Sequence, residues 1–216
     1  IYEGSSASSA SPQSTPVVAI IAENGQGRIA SADGTYYRLN VGTSGNNMNG
    51  AYSDFTQGGS TQTAAAPGSG AQGASGTVGG MITSSGLNMT LTNTTSAPQS
   101  LTLAFDTVYN RPSSLASLAG SWTATANGVT MTATVQPDGS FTASDSNNCT
   151  YLGNFSLIDP TFDVYAETHV RSCNGAAITF TGLAALLPAN TASGNGMEIK
   201  LMSDNDAGEY LMADFE

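Results

Sequence analysis

Charge is scarce in this chain of 216 residues. Asp, Glu, Lys and Arg together make up 10% of it, well under the roughly 25% of an ordinary soluble domain. The shortage falls mostly on one sign: five residues are basic (Arg28, Arg38, Arg111, Arg171 and Lys200) against sixteen acidic, a net charge of -11 at pH 7. Nucleic acid and anionic lipid surfaces are recognised by clustered Lys and Arg that displace counterions, so neither is expected as a partner. There is one histidine, His169, one tryptophan, Trp122, and a single pair of cysteines, Cys149 and Cys173. Two cysteines and one histidine, with no CxxC pair, do not supply a four-ligand structural zinc site, so no metal is expected. Any hydrolytic triad built on histidine would have to use His169. No apolar run reaches the about 18 residues that mark a membrane-spanning helix.

Gly, Ser, Thr, Ala and Asn take the place of the missing charge, a composition that suits an exported β protein. The cysteines are read as one disulfide, with two buried free thiols or a metal as the rival readings. A bridge persists only where thiols are not kept reduced, which places the chain in the periplasm or outside the cell. The pair stands 24 positions apart. Closing that loop of about 25 residues stabilises by ~3.5 kcal/mol in the chain-entropy account.

Along the chain, residues 1–16 read as a flexible tether. Residues 1–4 look like a vector remnant or the product of leader cleavage, and "SSASSASPQSTP" like the low-complexity segment that joins a folded domain to a lipid anchor. Strand patterns begin at Val17. "VVAIIAENGQGRIASADGTYYRLNV" holds three apolar or alternating runs divided by Asn24-Gly25 and Asp33-Gly34, dipeptides that supply the positive φ of tight hairpin turns. Residues 17–110 are therefore expected to form an N-terminal β subdomain, interrupted by a Gly-rich loop at 56–80. A short helical linker follows at 111–119, where Pro112 precedes Leu115 and Leu118 and Gly120 ends the turn. Residues 120–216 form a second β subdomain, expected to close into a small barrel. The fold class is all-β, with two antiparallel subdomains.

Alternation is clearest in the second half. Val129, Met131, Ala133 and Val135 fall on one face and Thr130, Thr132 and Thr134 on the other, before Pro137-Asp138-Gly139 turns the chain. "FDVYAETHVR" sorts in the same way, with Phe162, Val164, Ala166, Thr168 and Val170 on one side and Asp163, Tyr165, Glu167, His169 and Arg171 on the other. The second set is taken as the solvent-facing stripe and candidate binding face, with His169 a solvated surface histidine. A glycosidase would need two facing carboxylates in an aromatic cleft, and the glutamates show no matched pair. "GSGAQG" at Gly68–Gly73 fits GxGxxG but lacks the flanking strand and helix, so it is read as loop. "DNDAGE" at Asp204–Glu209 is read as a polar hairpin turn, since its glycine stands off the calcium-loop position.

Two resemblances bear on function. The order "YNRPSSLASLAGSW", "PDGSFTASDSNNCTYLGNF" and "FDVYAETHVRSCNGAAITFTGLAAL" resembles a group of uncharacterised Gram-negative, mostly β-proteobacterial, surface lipoproteins over about Tyr109 to Leu187. That resemblance implies an all-β protein held in the outer membrane by a lipidated cysteine upstream of this sequence, with no known activity. Gly120-Ser121-Trp122 is similar to the G-x-W that opens the first strand of lipocalin-like barrels, which implies that Trp122 closes one end of a barrel around a small apolar ligand. The expectation is an exported, non-catalytic binding module and antigen without cofactor. Its partner would be a host or cell-surface protein or a small ligand; the alternative is a barrel that carries an apolar molecule.

Overall fold

The computed structural model describes residues 1–8, 11–57, 68–126, 128–188 and 196–216. Among these the regular structure is β throughout, apart from two short 3-10 turns. Two compact units divide the chain: Ile1–Thr61 with Gly70–Thr107, and Gln62–Ser69 with Val108–Glu216.

The first unit contains β1 (Tyr2–Ser8), β2 (Ser11–Ile21), β3 (Gln26–Ser31), β4 (Tyr36–Ser44), β5 (Asn47–Gln57), β6 (Gly68–Thr83) from Gly70 onward, β7 (Gly86–Thr92) and β8 (Gln99–Phe105). Their order is β5-β4-β3-β2-β1-β8-β7-β6, and β5 pairs back onto β6, so the antiparallel sheet closes on itself and leaves no free edge. Inward positions carry Val17, Ala19, Ile29, Leu39, Val41, Val78, Leu87, Met89, Leu101 and Leu103. The turn glycines expected from sequence are in place, Gly25 at φ 83 and Gly34 at φ 88. Asp33 Oδ1 accepts from Thr35 N at 2.9 Å within its turn.

Within residues 1–16, where a tether was expected, 2–8 and 11–16 are strand, and 9–10 fall outside the described residues. β1 lies between β2 and β8, and its Gly4 and Ser6 are registered against Leu103 and Leu101. A Cβ on Gly4 would stand 2.8 Å from Leu103 Cα, so the strand needs small residues at this point. Low complexity describes side chains only. The backbone of a Ser/Ala/Gly segment pairs as well as any other when its neighbours supply the core. The Gly-rich loop expected at 56–80 shrinks for the same reason: β5 runs to Gln57 and β6 starts at Gly68, so "GSGAQG" lies on a strand, and 58–67 fall outside the described residues.

The second unit is a meander of β9 (Gly120–Ala126), β10 (Val129–Val135), β11 (Ser140–Asp145), β12 (Thr150–Leu157), β13 (Tyr165–Cys173), β14 (Ala176–Pro188), β15 (Met197–Asp204) and β16 (Glu209–Phe215), each antiparallel to the next. Thr123 on β9 and Glu216 exchange two backbone hydrogen bonds of 2.9 Å, which join the last strand to the first in a barrel-like sheet. Trp122, Met131, Phe141, Tyr151, Phe155, Ile199, Leu201, Leu211 and Phe215 fill its interior. Within the helical linker expected at 111–119 only the 3-10 turn Leu115–Leu118 forms; another, Thr107–Asn110, precedes it, and the units divide inside that earlier turn, between Thr107 and Val108. Ser114 Oγ accepts from Ser117 N at 3.2 Å and caps the second turn, while Leu118 is buried in the core.

Candidate functional site

β13 decides how the second unit presents its chemistry. Its residues alternate as the sequence requires, but the sides are reversed. Tyr165, Glu167 and His169 are 1%, 2% and 1% exposed, and Asp163, just ahead of the strand, is equally buried. Arg171 is partly covered, while Thr168 and Val170 face solvent. The stripe read as a solvent-facing binding face is therefore an inward polar seam, and His169 is a core histidine.

The neighbouring strands explain how a barrel interior admits these groups. His169 is registered against Gly153 of β12, and Glu167 against Gly182 of β14. A Cβ on Gly153 would lie 2.7 Å from both His169 Cβ and Phe141 Cζ, and one on Gly182 would lie 2.6 Å from Ser203 Cβ. His169 thus occupies room that Gly153 leaves open, and Gly182 leaves room for Ser203 on β15. The imidazole stacks on Phe180, ring centroids 4.9 Å apart and planes 6° from parallel. Its Nδ1 stands 2.6 Å from Glu167 Oε1. His169 Nε2 has no hydrogen-bond partner among the described residues.

The ends of the seam are tied down. Arg171 Nη2 donates to Glu209 Oε1 at 3.1 Å, and its guanidinium lies 5.2 Å from the Phe180 ring centroid. Asn205 Nδ2 donates to Glu209 Oε2 at 2.7 Å, inside the hairpin turn that "DNDAGE" was expected to form. At the other end Arg111 Nη2 stands 2.5 Å from Asp163 Oδ2 and also donates to Leu186 O. Burial raises the Asp163 carboxyl above its ordinary value, and the Arg111 hydrogen bond and charge pull it partly back. Burial, followed by the Asp163 charge, pushes the Tyr165 hydroxyl up to about 12.

A cavity adjoins His169, walled by Trp122, Met131, Val135, Phe141, Tyr151, Phe155 and Phe215 among others. Its volume is about 20 Å³, room for roughly one water. Trp122 is inward on β9, and its Nε1 donates to Leu118 O at 2.8 Å, so the indole joins the wall to the 3-10 turn. The arrangement pairs a carboxylate with a histidine, both 1–2% exposed, beside this cavity. No group of three or more His, Cys, Asp or Glu among the described residues is placed to hold a metal.

Cys149 and Cys173 form the disulfide, Cα atoms 4.5 Å apart. The bridge fastens the start of β12 to the end of β13, beside the Thr150–Ser172 register pair. Tyr151 OH donates to Asp145 Oδ2 at 2.8 Å, and Asp145 Oδ1 accepts from Asn147 N and Cys149 N. The turn ahead of the bridge is held by one carboxylate.

The outer surface of β9–β13 has the opposite character. Its exposed outward positions carry only Ser, Thr, Asn, Leu and Val, with no charged side chain. Across β10–β14 one row runs Thr134, Thr142, Leu152, Val170 and Thr179. Leu152 is 62% and Val170 37% exposed, side by side at its centre. Alternation alone puts Val170 on the core side of β13, so the pair is not legible in the sequence. The mid-strand glycines 153 and 182 were the available signal that the polar set turns inward. Comparison with protein families, curated proteins and solved structures finds no match for this chain.

Proposed function

We propose that the protein is an exported, non-catalytic interaction module displayed at the outer membrane or cell surface, and an antigen there. The observation that carries this reading is the division of chemistry in the second unit: its carboxylate–histidine pair is sealed in the core, and its accessible β9–β13 surface is a charge-free lattice of hydroxyls around Leu152 and Val170. Depletion of charge around an apolar centre is one part of the compositional signal of protein-contact surfaces. The disulfide supports export, and the resemblance of Tyr109–Leu187 to surface lipoproteins supports a lipid anchor upstream. A carrier of small apolar ligands is the second reading, favoured by the apolar wall around Trp122, but the cavity is an order of magnitude below the roughly 300 Å³ of ordinary ligand pockets.

The test is made on native cells. Protease applied to intact cells should remove the protein, antibody should label it, and mass spectrometry of the purified native form should find a diacylglyceryl cysteine. Protein that is found only inside, resists protease on intact cells and carries no lipid defeats the reading.

A further inference from the structure

The seam between β9 and β16 is paired at one point. Thr123 and Glu216 exchange two backbone hydrogen bonds there, and no other backbone bond links the two strands among the described residues. In the first unit the corresponding seam, β5 with β6, pairs from Asn47 opposite Met81 to Gln57 opposite Gly70. Alternation in an antiparallel ladder fixes which groups are left over. Thr123 turns its N–H and C=O to the seam, so Ser121 and Thr125 do the same, while Trp122 and Ala124 turn theirs to β10. On β16 the even residues Met212 and Asp214 face the seam with Glu216, and Leu211, Ala213 and Phe215 bond to β15, in step with the Asn205 N to Glu209 O bond of 2.9 Å at the hairpin. Thr125 and Asp214 come next in register after Thr123 and Glu216, yet exchange no bond.

This edge already takes a strand. Gly68 and Ser69, which belong to the second unit, lie antiparallel to β16 opposite Tyr210 and Glu209. On the inward side of the seam is the cavity, which Trp122 of β9 and Leu211 and Phe215 of β16 help to line. We propose that the β9–β16 seam binds an extended peptide by strand addition, its backbone paired with Met212 and Asp214 antiparallel to β16 and one small apolar side chain turned toward the cavity. The proposal rests on reading the protein as an interaction module and names the chemistry of its partner. Backbone donors and acceptors standing in line along a strand edge are matched by another backbone. The peptide residues opposite Met212 and Asp214 point outward with them, and the one opposite Ala213 points inward. The cavity, about 20 Å³, suits a small apolar side chain there and excludes an aromatic one. Outward, Asp214 is already met by Lys200 at 2.6 Å, so uncharged residues suffice, and the net charge of -11 opposes acidic ones.

Amide hydrogen exchange and peptide binding test this on the purified chain. In the free protein the amides of Thr125, Met212 and Asp214 should exchange fast, while those of Leu211 and Ala213, bonded to β15, are protected. The probe is a fluorescently labelled peptide of about six residues, threonine alternating with valine. It should bind, read by anisotropy, and protect the Met212 and Asp214 amides. Met212→Pro removes a seam N–H without touching the β15–β16 ladder, so the unfolding midpoint should stay while peptide affinity falls about tenfold or more. Methylating the backbone nitrogens of the peptide's threonines, which pair with Met212 and Asp214, should weaken binding to the wild type about as much. If Met212→Pro does not fold, the methylated peptide decides alone. Met212 and Asp214 amides that are protected in the free chain overturn the proposal, as does a peptide that fails to bind. So does binding that is indifferent to the methylated nitrogens. None of these outcomes bears on export and display, which the intact-cell experiment reads separately.

Discussion

His169 and Glu167 are placed by what lies beside them. Gly153 opens space for the imidazole, Phe180 supplies a stacking face, and a 2.6 Å contact holds the two polar groups together. Breaking such a pair from one side leaves a buried polar group without its match, which typically costs about 3–5 kcal/mol, whereas an apolar replacement of both partners is close to neutral. Urea unfolding should therefore show Glu167→Ala to be severely destabilising and the double replacement Glu167→Leu with His169→Phe to be much milder. Additive losses in that double variant would mean that the two residues do not act as a pair. Gly153→Ala should cost about 1–3 kcal/mol through overpacking against His169 and Phe141. Tyr165 gives a pH-dependent signature. Its folded value, about 12, lies above the about 10 of an unfolded tyrosine. The folded state holds its proton more tightly, so this contribution to stability is complete below the unfolded value and is lost as pH rises through about 12. Tyrosinate absorbance in wild type and Tyr165→Phe should differ by a late-titrating component that appears as the fold is lost.

At the scale of elements, alternation and turn chemistry were legible and the sign of a face was not. The meander from Val17 to Val41, the β10–β11 hairpin and the disulfide clamp all follow from period-two patterning and from Asn-Gly, Asp-Gly and Cys placement. β13 shows the limit. Its parity is correct in "FDVYAETHVR", but Val170 and Thr168 face out while Tyr165, Glu167 and His169 face in, because residues on β12 and β14 decide which side has room. β1 shows another limit, since pairing with β2 and β8 makes a strand of a segment whose own side chains carry little core. The clamp itself is testable: replacing both cysteines by serine should lower stability by ~3.5 kcal/mol, read by urea unfolding of the β12–β13 region with Trp122 fluorescence as the probe. A loss below ~1 kcal/mol would show that the Thr150–Ser172 ladder alone does the work of the bridge.

For the molecule as a whole, each unit is a barrel-like antiparallel sheet, closed in the first by the β5–β6 ladder and joined in the second by the Thr123–Glu216 bonds, and closure covers edges through which β proteins aggregate. Contact with partners is then left to side chains on outward faces and to the unpaired stretch of the β9–β16 seam. In the second unit the outward face of β9–β13 offers hydroxyls around Leu152 and Val170, the Lys200–Asp214 pair lies exposed on β15–β16, and His169 and Glu167 are buried within. Because His169 is the only histidine in the chain, one reagent reads this inversion directly. Diethyl pyrocarbonate should leave His169 unmodified in the native protein and modify it once denaturant opens the second unit. Native His169 reacting as fast as free imidazole would contradict the account, putting the polar face of β13 back in solvent.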